Sequence, residues 1–559
     1  MLLRLPDDLL LCIADSLRTR TVSRLCRRTW GLLRHRHLTI HDGHLLDAMT
    51  AAGPRLCTVV CNLKCVPLSI THAHLCFGPV VDHLRHMALT LNHGDAGAVL
   101  MVAGACPVLE TLRLTCHGQP IPRGAFALCE PLRNPCLRSL SLNVSRTFMD
   151  GPTLAALADV LLAGPAPALT EVCLDLRYNH YIAAQDVAHL AALLDPRRGL
   201  EHVDIALTCN TWNGDQALAS LAERCGEVGD GRLRTLRLAL NETGITAWGV
   251  GPQGLHRILT AHRHTLSSLL FHASNCDLGS SHGVRPLMAA LSVASSLRCL
   301  DLDLSSNGLR DGGAFARIGH LGHLESLRLD LSGNVRLGSR TAHGLGVALR
   351  PDTLRCLELV LTQTFVRADD GASPVPLSLR SCAWWGDGPG LVALLRRCHP
   401  AELRCLTVRV EDQGLDCWCL ADSLRSCVGV GQLVLQLSGC SIGDYGLACL
   451  AHAAGQLPLR KLALHLDTND LSLEGLFVLR PLLCNLRRSL RHLHLDLSHN
   501  CFGDGCGAVD AVAEALLMVP AETRIHLLLR GVAQSPEERA TLHARVRERL
   551  GRPAVFVSV

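Results

Sequence analysis

The chain has 559 residues, of which 48% are hydrophobic and 3% aromatic, and a formal net charge of +4. That apolar share is enough for a continuous core and excludes a largely disordered chain. A charge this small over this length gives no support to a nucleic-acid footprint. The first elements in chain order are two short amphipathic stretches. In Leu5-Pro6-Asp7-Asp8-Leu9-Leu10-Leu11-Cys12-Ile13-Ala14-Asp15-Ser16-Leu17, the apolar residues 9, 10, 13 and 17 share one helical face. Pro6 at the helix start and two aspartates behind it suit the positive end of the helix dipole. In Val22-Ser-Arg-Leu25-Cys26-Arg27-Arg28-Thr29-Trp30-Gly-Leu32-Leu33, positions 22, 25, 26 and 30 line up in the same way. Two such helices are too small for a core of their own and need a partner surface.

This segment resembles an F-box, a family that opens with Leu-Pro and acids, continues through a Leu-rich helix and closes on a Cys-basic-basic-Trp signature. Leu5-Pro6-Asp7-Asp8-Leu9 and Cys26-Arg27-Arg28-Thr29-Trp30 match, with one extra residue before Trp30. The stretch between Leu17 and Leu25 is shorter than the family's and lacks its Pro-x-x-Leu turn. The resemblance implies docking on a Skp-type adaptor of a cullin ubiquitin ligase through Leu5, Pro6, Leu9, Leu10, Ile13, Leu25, Cys26 and Trp30. The alternative is that residues 1–45 only cap the open end of a solenoid, as any repeat array requires.

From Leu56 to Leu529 one pattern recurs seventeen times: apolar, two variable, then three further apolar positions spaced by two. Its clearest copy is Leu297-Arg-Cys-Leu300-Asp-Leu302-Asp-Leu304-Ser-Ser-Asn307. The first apolar positions are 56, 84, 109, 137, 169, 200, 233, 266, 297, 324, 354, 374, 403, 430, 459, 490 and 522, at intervals of 25 to 33 apart from one step of 20. Period-two alternation makes each copy open as a short strand burying one face. Ile442-Gly-Asp-Tyr-Gly leading into Leu447-Ala-Cys-Leu450, and Phe502-Gly-Asp-Gly leading into Val509-Asp-Ala-Val512, read as turns entering helices, with glycine permitting the turn and Asp capping the next amides. No copy can bury its apolar face alone, so the copies must stack. The expected fold class is a curved α/β solenoid, with a parallel sheet on the concave side and mostly helices on the convex side.

The pattern is similar to the leucine-rich repeat family, in its ribonuclease-inhibitor-like subclass, over roughly residues 46–530. Residues 531–559 are left as a C-terminal cap or tail. Asn179, Asn210, Asn307, Asn334, Asn469 and Asn500 stand at the eleventh position, with Cys276 and Cys440 replacing it elsewhere. There the side chain bonds backbone amides where the strand turns away. An additional alternating Leu before the Asn predicts strands one pair longer than the family's. The copies at Leu56 and Leu84 are degenerate. The short 354–374 step predicts a loop in place of a helix and a break in curvature.

The 27 cysteines do not read as a disulfide framework. Acids interrupt the N-terminal apolar stretch where a secretory signal would run, and no cleavage site comes after it. Cys173, Cys299, Cys356, Cys405 and Cys440 fall on or beside predicted strands and are expected to be small buried hydrophobes. No Cys-x-x-Cys occurs, Cys417-Trp-Cys419 is too tight for zinc, and no apolar run reaches the ~18 residues of a membrane span. The expectation is a reducing compartment, cytoplasm or nucleus, with no metal, cofactor, membrane or nucleic acid.

Gly249-Val-Gly251-Pro-Gln-Gly254 has the letters of a dinucleotide-binding loop, but its strand ends near Leu240 and the first later acid is Asp277. Among 29 histidines, the pairs His35/His37, His72/His74, His262/His264 and His492/His494 lack a third ligand at fixed spacing and read as solvated surface residues. No catalytic motif emerges, so the chain is expected to be a binding protein rather than an enzyme. On the concave side the outward residues are Asp301, Asp303, Arg328, Asp330, Glu358, Arg409, Gln436, His465, His494 and Asp496, the expected partner surface. His465 and Asp496 hold equivalent slots of adjacent repeats, about 5 Å apart, and are expected to pair. The two functional readings are a ligase substrate receptor and a free-standing scaffold or inhibitor.

Overall fold

The computed structural model describes residues 37–41, 56–63, 77–91, 105–116, 134–162, 169–210, 213–226, 231–245, 250–279, 284–309, 313–334, 353–362, 403–411, 417–503, 505–531 and 555–558, with a few single positions between. The chain divides into two compact units, Met1–Ile245 with Gly249–Leu270 and Thr246–Trp248 with Phe271–Val559.

The first unit carries β1 (His37–His41), β2 (Thr58–Leu63), β3 (His86–Leu91), β4 (Thr111–Cys116), β5 (Ser139–Asn143), β6 (Glu171–Asp175), β7 (His202–Ala206) and β8 (Thr235–Ala239). They pair in sequence order and in parallel. Strand β9 (Ser268–His272) lies at the division of the units. The second unit carries β10 (Cys299–Asp303), β11 (Ser326–Asp330), β12 (Cys356–Val360), β13 (Cys405–Arg409), β14 (Gln432–Gln436), β15 (Lys461–His465), β16 (His492–Asp496), β17 (Arg524–Leu528) and β18 (Val555–Ser558), again parallel and in order. Register places Leu300 beside Leu327 and Leu302 beside Leu329, so each repeat's leucines continue the row of the last. Leu297, Leu300, Leu302 and Leu304 are buried while Asp301 and Asp303 between them are half-exposed, as the alternation requires. Both units are stacks of parallel-strand repeats with continuous buried leucine rows.

Helices cover the other side. Gly443–Ala454 buries Leu447, Leu450, Ala451 and Ala454, one stripe at helical spacing, with Asp444 in its first turn. Asn213 caps Gly214–Leu221 by accepting from the Asp215 amide at 2.9 Å. Gly251–Ala261 explains the false dinucleotide motif. A Cβ at Gly254 would run into the backbone of Leu218, so this glycine lets two neighbouring helices close up.

The eleventh-position asparagines bind as their spacing implies. Asn334 is fully buried, accepts from the amides of Asn307 (3.0 Å) and Leu309 (3.1 Å), and donates to the carbonyls of Leu304 (2.9 Å) and Leu331 (2.8 Å). Asn179 and Asn469 repeat the pattern. Thr147 and Thr243 stand in the same slot with a hydroxyl that reaches one carbonyl each, Val144 and Leu240. The residue just before the slot was not foreseen. It is left-handed at Arg146, Tyr178, Cys209, Glu242, Asn275, Ser306, Thr468 and His499, with φ between 52° and 59°. A side chain there costs about 1–2 kcal/mol. The amide of this residue is turned onto the next repeat, as in Tyr178 to Thr208 (3.1 Å) and Ser306 to Ser332 (2.7 Å).

Several expectations are corrected. Strand β12 pairs directly with β13, Cys356 beside Cys405, so the frame at Pro374 adds no strand between them and the register is unbroken there. Most strands span five residues rather than a longer set. Leu304 is buried beyond the strand end, its amide bonding Asp330. The degenerate copies at Leu56 and Leu84 form β2 and β3. Strand β1 lies within residues 1–45, and β18 within the expected tail. Cys440 is buried, but Cys173, Cys356 and Cys405 are half-exposed and Cys299 is exposed, because they occupy the odd strand positions that face away from the helices.

Candidate functional site

The strand face of the second unit that is not covered by its helices carries all ten residues named for partner binding. Third strand positions run Asp301, Arg328, Glu358, Thr407, Val434, Ala463, His494, His526 and Phe556. Fifth positions run Asp303, Asp330, Val360, Arg409, Gln436, His465, Asp496, Leu528 and Ser558. The adaptor-docking residues Leu5, Pro6, Leu9, Leu10, Ile13, Leu25, Cys26 and Trp30 lie outside the described residues, as does the 363–402 stretch.

At the β10 end the charges form a chain of alternating sign. Arg328 lies 3.0 Å from Asp301, 3.2 Å from Glu358 and 3.9 Å from Asp330, and Glu358 is shared with Arg409 at 3.0 Å. His272 approaches Asp301 at 3.5 Å. Burial alone raises the Asp301 carboxyl, but the His272 hydrogen bond and the Arg328 charge outweigh it and hold it below its ordinary range. Asp330 is pushed up, chiefly by burial, although the Ser332 hydroxyl and amide bind its Oδ1 at 2.6 and 3.0 Å. The network fixes Arg328 by clamping it between strands; it is partly exposed, with side-chain accessibility of 32%.

At the other end the expected His465–Asp496 pair does not form among the described residues, although register sets the two side by side. His465 instead stacks on His494 (ring centroids 4.4 Å), His494 on His526 (4.5 Å) and His526 on Phe556 (4.8 Å). Ala463, small and buried in the third row, leaves room for His465 and His494 to meet. His526 and His494 share a hydrogen bond between their Nδ1 atoms at 2.7 Å, so one ring must accept there and cannot also be protonated at that atom. Burial, reinforced by His465 and His526, pushes His494 down to about 4. His465 is also lowered, by burial first, with Asp496 and Asp467 opposing. His465 and His494 are thus packed imidazoles held toward the neutral form, not solvated ones. His526 shares the outward slot of His494 and was legible in the repeat frame; Phe556 was not, because the tail carries no repeat signal.

Of the other histidine pairs His262/His264 does not converge, and His35, His72 and His74 lie outside the described residues. His262 is buried, with Nε2 2.9 Å from the Leu194 carbonyl, while His264 is exposed beside Arg263. Among the described residues no group of three or more His, Cys, Asp or Glu side chains is placed to hold a metal, and no helix is long and apolar enough to cross a membrane.

No known protein-family profile matches this chain. A stretch of 234 residues, 41% of the chain, is 31% identical to capping protein, Arp2/3 and myosin-I linker protein 3 of Rattus norvegicus and of Mus musculus, and the match spans 16% of those proteins' length. The human protein of the same name is 31% identical over 235 residues. Among solved structures, the crystal structure of the Rad7 and Elc1 complex in yeast is similar over 99% of this chain and 91% of that one, at 14% identity and a TM-score of 0.40.

Proposed function

We propose that this chain is a non-enzymatic binding protein that takes a partner protein on the uncovered strand face of β10–β18. Its N-terminal segment then docks it on a Skp-type adaptor, making it the substrate-recognition subunit of a cullin ubiquitin ligase. The observation that supports the binding surface is the pre-set state of that face. Its charged side chains hold one another through Asp301–Arg328–Glu358–Arg409, its rings are stacked, and both groups stay accessible. Side chains already ordered lose less entropy when a partner arrives. The adaptor role rests on Leu5-Pro6-Asp7-Asp8-Leu9 and Cys26-Arg27-Arg28-Thr29-Trp30. A scaffold without a ligase is the second reading, favoured by the likeness of a 234-residue stretch to a linker protein.

Affinity purification of the full chain and of a chain lacking residues 1–45 separates the two. A Skp–cullin complex that depends on the segment, and is lost with Leu9, Ile13 and Trp30 all changed to Ala, supports the receptor. Partners retained with no Skp or cullin in either preparation support the scaffold. Reversing Asp301, Asp303 and Asp330 to Lys should weaken partner capture and leave adaptor binding unchanged.

A further inference from the structure

The residue that precedes each strand stands at the entry edge of the ladder, and in the second unit these residues form consecutive rungs. Amide-to-carbonyl bonds link Arg355 to Glu325, Arg404 to Arg355, Gly431 to Arg404, Arg460 to Gly431 and Arg491 to Arg460, all between 2.7 and 2.9 Å. Their side chains therefore follow one another in single file, about 4.8 Å apart per strand. The start of the row is neutralised, where Arg298 meets Glu325 at 2.9 Å. From there the row turns basic. Arg355, Arg404, Arg460 and Arg491 are exposed, and Lys461 and Arg524 add exposed cations one residue further on the same edge. Arg491 reaches Glu522 at 3.9 Å, a loose contact between largely exposed groups. Among the described residues none of the other five has an ion pair.

The same edge of the first unit behaves differently. There Arg85 meets Glu110 at 3.5 Å and Arg234 meets Glu201 at 3.6 Å, so opposite charges close across the rungs. Alternating signs are enough for solubility. Like charges on neighbouring strands repel and destabilise the sheet, so the one-signed row of the second unit carries a standing cost that a counter-charged partner would relieve.

We infer that this arginine row is a docking surface for an extended acidic segment of a partner protein. Four strand intervals separate Arg355 from Arg491, about 19 Å, which an extended chain covers in about six residues. Guanidinium groups take carboxylates in bidentate fashion, better than ammonium groups do. Single-stranded nucleic acid is the competing occupant, but surfaces that hold it interleave aromatic platforms with the cations, and none of these rungs is aromatic. The row is separate from the uncovered strand face and does not depend on whether residues 1–45 dock an adaptor.

The test uses the full chain and two fluorescein-labelled probes, a twelve-residue Glu/Ser peptide carrying eight glutamates and a twelve-nucleotide dT strand, followed by fluorescence anisotropy at 50 and 200 mM NaCl. The expected result is saturable peptide binding that weakens with salt. It should fall at least tenfold in R404E/R460E/R491E, and also in R404Q/R460Q/R491Q. Reversal of Arg85 and Arg234 in the first unit, with circular dichroism unchanged for every variant, should leave it alone. Peptide binding equal in wild type and both triple variants overturns the assignment, as does no peptide binding at low salt. Tighter binding of dT through the same arginines also overturns it, in favour of a nucleic-acid surface.

Discussion

Replacing Asn334 with Ala removes one carboxamide that binds backbone groups of two successive repeats. The amides of Asn307 and Leu309 lose their acceptor, and the carbonyls of Leu304 and Leu331 lose a donor. The side chain is fully buried, so water is not at hand to replace it. A buried polar group left without its partner costs about 1–3 kcal/mol. The two amides dominate, since a carbonyl keeps a second lone pair, and the expected loss is about 3–5 kcal/mol. Thr243→Ala, which removes one hydroxyl contact to Leu240, should cost only about 1 kcal/mol. Because each repeat leans mainly on its neighbours, the damage should be local. Hydrogen exchange should show lost protection across residues 299–309 and 326–334, with β15–β17 little changed, and urea unfolding should give the energy. Undiminished protection at Asn307 and Leu309, or a loss below about 1 kcal/mol, would refute the view that this slot holds the repeats together.

Three further outcomes come from the same geometry. Leu302→Asp puts an unpaired charge into the stacked core and should cost about 4 kcal/mol or more in a denaturation series; a loss under about 1 kcal/mol would show that the third apolar position is not part of the core. His494, with its pKa depressed to about 4 in the fold, binds a proton more readily when unfolded, so its contribution is present above about pH 6.5 and lost as pH falls toward 4. Discounted for partial exposure, that is about 1–2 kcal/mol, and His494→Phe, which cannot titrate, should flatten this part of the pH-stability curve; an unchanged curve would contradict the packed neutral ring. Arg328→Gln strips Asp301 of its cation, and NMR titration should find the Asp301 carboxyl moved upward; an unmoved midpoint would mean that the clamp is not formed in solution.

How much of this could be read from residues alone differs by element. The row Leu297, Leu300, Leu302, Leu304 and Asn307 determined a strand, its buried face and its turn without reference to any distant residue, because one repeat's pattern is copied by the next and stacking is the only way to bury it. The ten outward residues of the second unit were legible for the same reason: period two names which side chains leave the core. The same rule, applied to Cys299, Cys356 and Cys405, already argued against burying them. What each outward residue does was not legible. Asp301, Arg328 and Glu358 become an alternating chain, and His465 turns from Asp496 to stack on His494, because side-chain contacts across strands depend on rotamers and on the size of the neighbours. Ala463 opens space that no reading of a single repeat reveals. The left-handed residue before this slot also escaped, since Arg146, Tyr178 and Glu242 carry no local preference for it; the bond to the next repeat selects that conformation. Register between distant segments was decided by tertiary structure too. Strand β13 pairs with β12 across 44 intervening residues, and β18 brings Phe556 onto His526, because a ladder needs matched amides and carbonyls at its edge and is indifferent to how much chain runs between them.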